Sequence, residues 1–149
     1  MNRFRFRLES VLRLRSVEEE KKKREHGVAL HSLKSAKDRY NRVVNEIGEH
    51  DRRREEEGEG KVTVRELRAD YYYGRLLERR KDTQRKSVER ADSIAEARRI
   101  ELIAASQKKK TVERLKERAL EIYEKAAVKE EQTIVDELTA IKYKPPVTK

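Results

Sequence analysis

Alternate steps of four and three from Leu8 land on Leu12, Arg15, Glu19, Lys22, His26, Ala29, Leu33, Ala36, Tyr40, Val43 and Ile47. With Leu8 included, eight of these twelve positions are apolar, and the four polar ones are consecutive. This is heptad spacing. It predicts a long helix with one apolar seam facing a partner helix, and a polar gap in that seam from Arg15 to His26. No Pro interrupts the segment. Gly27 and Gly48 each cost the helix up to about 1 kcal/mol relative to Ala.

The pattern stops at "EEEGEG", where Gly58 and Gly60 can take positive φ and end a helix. "KVTVREL" then carries a start signal. Thr63 and Glu66 have the spacing of a capping box, and Val62 and Leu67 occupy the positions of a hydrophobic staple. A second helix is predicted from Thr63 to about Ile141, where "KYKPP" breaks it. Its seam reads Leu67, Tyr71 and Gly74, then a polar patch. It resumes at Val88, Ala91, Ala95, Arg98, Leu102, Ala105 and Val112. Leu115, Ala119, Ile122 and Ala126 continue it after a phase shift, which reads as a stutter.

The expected architecture is all-α: one elongated coiled-coil domain over 1–149, a two-helix antiparallel hairpin with the second helix longer. Helix 1 covers about 5–57, the turn 58–62, helix 2 about 63–141 and a tail 142–149. Two helices joined by so short a turn lie antiparallel. Folding about Gly58–Gly60 sets residue i near residue 119 − i, so Leu33 meets Arg85–Lys86 and Leu8 meets Lys110–Val112. At about 1.5 Å per residue the second helix is near 120 Å long. Residues 115–141 should then project past the first helix without an intrachain partner. A polar gap and an overhang admit two readings: a hairpin that frays there, or an adaptor whose ends are gripped by a partner.

Composition supports long helices over a globular core. Charged residues make up 46% and aromatics 5%, against about 25% charged in an ordinary domain. There is no Cys, hence no disulfide framework or thiolate chemistry. No apolar run of about 18 residues exists to span a membrane, and no h-region or cleavage site marks a signal peptide. The net charge is +10, with acids and bases interleaved as on a solvated helix laced with ion pairs. Residues 1–15, Arg75–Arg90 and Arg98–Arg118 are locally basic. Such surfaces suit an acidic partner, though no nucleic-acid motif accompanies them.

No catalytic or cofactor constellation is present. His26 and His31 are about 140° apart around a helix and cannot share a metal, and His26, His31 and His50 read as solvated. "GEG" is a turn, because the Lys-Ser/Thr of a phosphate loop is missing. "DYYYGRLLER" is the informative surface signal. One seam cannot bury Tyr71, Tyr72 and Tyr73 together, so at least one faces outward near Leu76 and Leu77. Exposed Tyr beside Leu is typical of a protein-binding hot spot, with ordinary hairpin packing as the alternative. Gly74 could admit the backbone of a partner.

The opening "MNRFRFRLESVLRLRS" sets Phe4, Leu8, Val11 and Leu12 at helical spacing, with the arginines elsewhere. A lone strand there would lack a pairing partner. An Arg-rich, acid-poor start also fits a mitochondrial presequence, with the mature chain beginning after about residue 16. The register carried from Leu8 and Leu12 toward Leu33 and Ile47 favours a helix that belongs to the fold.

"FRFRLESVLRLRSVEEEKKKRE" resembles the N-terminal signature of the flagellar export protein FliJ family, with aromatic-basic alternation, a Leu-Glu-x-Val-Leu segment and a Glu/Lys-rich helix. "KKKTVERLKERALEIYEKAAVKEEQTIVDEL" is similar to the family's C-terminal helix. The resemblance covers about residues 3–138. It implies a non-enzymatic component of the flagellar type III export apparatus without cofactors, folded like the central stalk of rotary ATPases. Its implied place is the pore of a hexameric export ATPase, in the cytoplasm, peripherally at the inner face of the membrane at the flagellar base. The implied partners are that ATPase, a membrane export gate protein and export chaperones. By the same resemblance the gate contact falls on Tyr73 and Leu77, with Tyr72 and Leu76 adjacent. By the stalk analogy the ring-facing end holds Phe4, Phe6, Leu8, Leu12, Arg13 and Arg15. The alternatives are the equivalent stalk of a virulence injectisome, and a basic coiled coil that binds nucleic acid or anionic membrane.

Overall fold

The structure is a computed structural model that describes residues 3–58 and 60–142. It is a helical hairpin of two helices packed against each other, α1 (Glu9–Glu57) and α2 (Val64–Lys142), with no strand among the described residues. The second helix is the longer, as the periodicity predicts. α1 begins at Glu9 and not at about residue 5, because Phe4 and Phe6 lie in a non-helical lead. The break expected at Pro145 and Pro146, and the tail from 143, lie outside the described residues.

The turn is built from local hydrogen bonds. Gly58 N–H donates to the Arg54 carbonyl at 3.0 Å and Gly60 N–H to that of Glu57 at 2.9 Å. No glycine among the described residues takes positive φ, so the chain leaves α1 without the left-handed cap that the sequence suggests. The capping box at Thr63 forms. Glu66 Oε2 accepts from both the N–H and the hydroxyl of Thr63 at 2.8 Å, and Glu66 N–H donates back to Thr63 Oγ1 at 3.3 Å. These bonds satisfy helix-end donors and hold the Glu66 carboxyl below its ordinary 4.5.

Along α1 every heptad position from Leu12 to Ile47 is buried or half-buried, and the pattern runs on to His50. Along α2 the inward positions alternate by four and three without a break from Asp70 to Tyr123. This corrects two expectations. The α2 seam opens on Asp70, Gly74 and Leu77, while Leu67 and Tyr71 are exposed. There is also no stutter: Val112, Lys116, Ala119 and Tyr123 keep one phase, and Leu115 and Ile122 face out. Apolar pattern misled at both places because the true seam uses polar or aromatic residues with partners of their own.

Packing divides the chain into two compact units, one from residues 20–104 and one from 1–19 with 105–149. The first is centred on Ala29, Leu33 and Ala95, with Val88 and Ala91 against them. In this unit the polar gap is an ion-pair ladder. Lys22 Nζ reaches Glu101 at 2.7 Å and Glu25 at 2.9 Å, and Arg98 bonds Glu101 at 3.0 Å. In the second unit Glu19 pairs with Lys109 at 2.9 Å and Glu9 with Lys116 at 2.8 Å. Each of these interhelical partners sits about a turn or more farther along α2 than 119 − i places it. The offset does not arise at the turn, where His50 meets Asp70 within one residue of 119 − i. The overhang therefore shrinks. In this unit contact with the N-terminal segment continues to Tyr123, which meets Phe4, and every described residue from Val128 to Lys142 is exposed.

Candidate functional site

In the unit formed by residues 20–104, the base of the hairpin is organised by a residue that the sequence reading took to be solvated. His50 is 5% exposed. Its Nε2 lies 2.6 Å from Asp70 Oδ1, and a carboxylate only accepts, so Nε2–H donates. Arg54 holds the other Asp70 oxygen at 3.0 Å. The imidazole Cε1 lies 3.2 Å from where a Cβ on Gly74 would stand. Gly74 thus makes room for the hairpin's own histidine and not for an incoming backbone. The signal was legible in principle, since His50 continues the heptad three residues beyond Ile47. It was masked by polarity.

Above this pair stands the aromatic cluster. Tyr71, Tyr72, Tyr73 and Leu76 are all exposed. The Tyr71 and Tyr72 rings meet edge-on at 6.0 Å, and Tyr73 stands edge-on to the His50 ring at 5.3 Å. Leu77 does not belong to that surface. It is 0% exposed, the most buried large side chain of the hairpin, because it holds an inward heptad position three residues after Gly74. Of the four residues assigned to a gate contact, Tyr72, Tyr73 and Leu76 are presented outward and Leu77 packs inward. The Asp70 pair and the packed Leu77 fix the first turns of α2 from below, so the outward cluster is presented on a rigid helix.

The N-terminal segment belongs to the other unit. In its non-helical lead Arg3, Arg5 and Arg7 are exposed, while Phe4 and Phe6 are half-buried. Phe4 meets Tyr123 at a ring distance of 5.4 Å. Leu12 is half-buried, Leu8 is 40% exposed and Arg13 is exposed. Arg15 is tied to Glu18 at 2.7 Å. Phe4, Phe6 and Leu12 therefore lie on the packed side, Leu8 is exposed, and Arg13 with the three leading arginines forms an outward cationic rim.

Among the described residues no group of three His, Asp or Glu is placed to hold a metal ion, and no helix is long and apolar enough to cross a membrane. The His50–Asp70 pair joins α1 to α2, and its geometry clamps the two helices together.

A family model described as Flagellar FliJ protein matches residues 4–146. No curated protein and no solved structure matches the chain.

Proposed function

The chain belongs to the flagellar FliJ protein family, a component of the flagellar export apparatus, and on that premise we propose that it is a non-enzymatic stalk and adaptor. Its N-terminal end and the free end of α2 engage the pore of the hexameric export ATPase and promote its assembly or turnover. Tyr72, Tyr73 and Leu76 contact the membrane export gate. Export chaperones are escorted by the same protein. The protein acts in the cytoplasm, peripherally at the inner face of the membrane at the flagellar base.

The observation that carries this reading is the family match over nearly the whole chain. Two structural features support it. The α2 end from Val128 to Lys142 is exposed, with Ile134, Val135, Leu138 and Ile141 uncovered, as befits a helix completed by a partner. The tyrosine cluster is exposed on a helix whose inner face is locked. The test is ATP hydrolysis by the cognate export ATPase under titration with this protein. Stimulation saturating near one copy per hexamer is expected. Hydrolysis by the protein alone, or no binding and no stimulation, would overturn the reading.

A further inference from the structure

A groove of about 550 Å³ runs between the helices in the unit formed by residues 20–104. Its floor is Ala29, and its walls are Val28 and Ile94, which are 69% and 56% exposed. The groove exists because Ala29 and Ala95 bring little volume to the seam, so the β-branched side chains above them stand apart. Three cations rim it: Lys21, Arg24 and Arg98. Arg98 is engaged by Glu101, and Glu25 by Lys22. Lys21 and Arg24 close no salt bridge among the described residues. Lys21 lies in the field of Glu25 without bonding to it, so the rim holds two cations that are bonded to no carboxylate, beside an uncovered apolar strip.

We propose that this groove docks an acidic amphipathic helix of a partner protein. An apolar strip between two helices is completed by a third helix with anchors at helical spacing. The open walls would leave a small molecule largely in water, whereas a bound drug-sized ligand is usually mostly buried. The charge pattern selects the sign of the occupant: Glu or Asp flanking its apolar face would meet Lys21 and Arg24, and Lys there would be repelled. The site is separate from the tyrosine cluster, and the proposal does not depend on the flagellar assignment.

The test uses the full chain and two labelled helical peptides with the same Leu/Ala face, one flanked by Glu and the other by Lys. Fluorescence anisotropy should show binding of the acidic peptide, weakening as salt rises, and none of the basic one. Lys21→Glu with Arg24→Glu should weaken binding at least about tenfold, and Val28→Asp should do the same. All three residues are exposed, so circular dichroism should be unchanged. Arg79→Glu with Lys86→Glu, exposed cations elsewhere on α2, should leave binding intact. Equal loss with that control, or equal binding of both peptides, would reduce the effect to net charge and overturn the proposal. Self-association in sedimentation that Val28→Asp abolishes would assign the groove to a second copy of this chain and overturn it too.

Discussion

His50 Nε2 and Asp70 Oδ1 are 2.6 Å apart, and through them the last turns of α1 are bonded to the first turns of α2. Asp70 is shared with Arg54. A buried imidazole left without its partner would carry the desolvation cost of an unsatisfied polar group, so the pair is a structural bolt as well as a register mark.

Replacing His50 with Ala should cost about 1–3 kcal/mol, read by urea unfolding. The informative experiment pairs it with Gly74→Ala. Alanine should gain about 1 kcal/mol of helix propensity over glycine. In the native background that gain is cut, because the new Cβ stands 3.2 Å from Cε1 of the ring. With His50→Ala the gain should appear in full. Additive effects, within about 0.5 kcal/mol, would mean that the ring and Gly74 do not press on each other.

Leu76 and Leu77 are neighbours in sequence and opposites in environment, 44% and 0% exposed. Leu77→Ala should cost about 2–5 kcal/mol, since it opens a cavity in the seam. Tyr72→Ala and Leu76→Ala should stay within about 0.5 kcal/mol of the native stability. If the exposed cluster is the gate contact, Tyr72→Ala and Leu76→Ala should lower flagellar export at full helicity, and Leu77→Ala should lower it only by lowering stability. Normal export from a Tyr72→Ala, Leu76→Ala double variant would remove the gate assignment.

The hairpin was legible because helix periodicity, a capping box and a glycine-rich break are local signals. The seam of α1 was legible from Leu12 to Ile47, polar gap included, but not at its ends, where Leu8 is exposed and His50 is buried. What was not legible depends on partners across the hairpin. Asp70 reads as a surface acid until His50 is placed beside it. Lys116 and Tyr123 look like departures from a seam until Glu9 and Phe4 meet them. An apolar template then prefers Leu115 and Ile122, and a stutter appears that the molecule does not contain. The aromatic cluster was found by the 100° geometry of consecutive residues. The same geometry could not assign Leu77 to a face, because the phase of α2 there is set by Asp70 and Gly74.

The ion-pair ladder at the polar gap sets register more than it adds stability. Pairs at the surface such as Lys22–Glu101 contribute little net stability, because solvent screens them and ordering two long side chains costs entropy. Leucine at heptad core positions is worth more. Lys22→Leu combined with His26→Leu should therefore raise Tm. A lower Tm would show that the ladder contributes net stability. The same variant should also tolerate shifted or self-associated pairings that the native ladder excludes, visible as concentration-dependent sedimentation.

The pH response follows from the same pairs. The Glu101 carboxyl is held below 4.5 by hydrogen bonds from Lys22 and Arg98, and that of Glu25 by the one from Lys22. The ammonium of Lys22 is pushed above 10.5 by hydrogen bonds to Glu101 and Glu25, and that of Lys109 by the one to Glu19. For the carboxyls the unfolded chain takes up protons first as pH falls, so their contribution is full above about 4.5 and fades as pH drops through the lowered folded values. For the lysines the contribution is full below about 10.5 and fades as pH climbs through the raised folded values. These groups are at the surface, so both limbs should be shallow and should flatten in about 1 M salt. Glu101→Gln should shrink the acid limb of a Tm-against-pH curve and, by freeing Lys22 from its first partner, the alkaline limb as well. An unchanged curve for Glu101→Gln would mean that the ladder is not formed in solution.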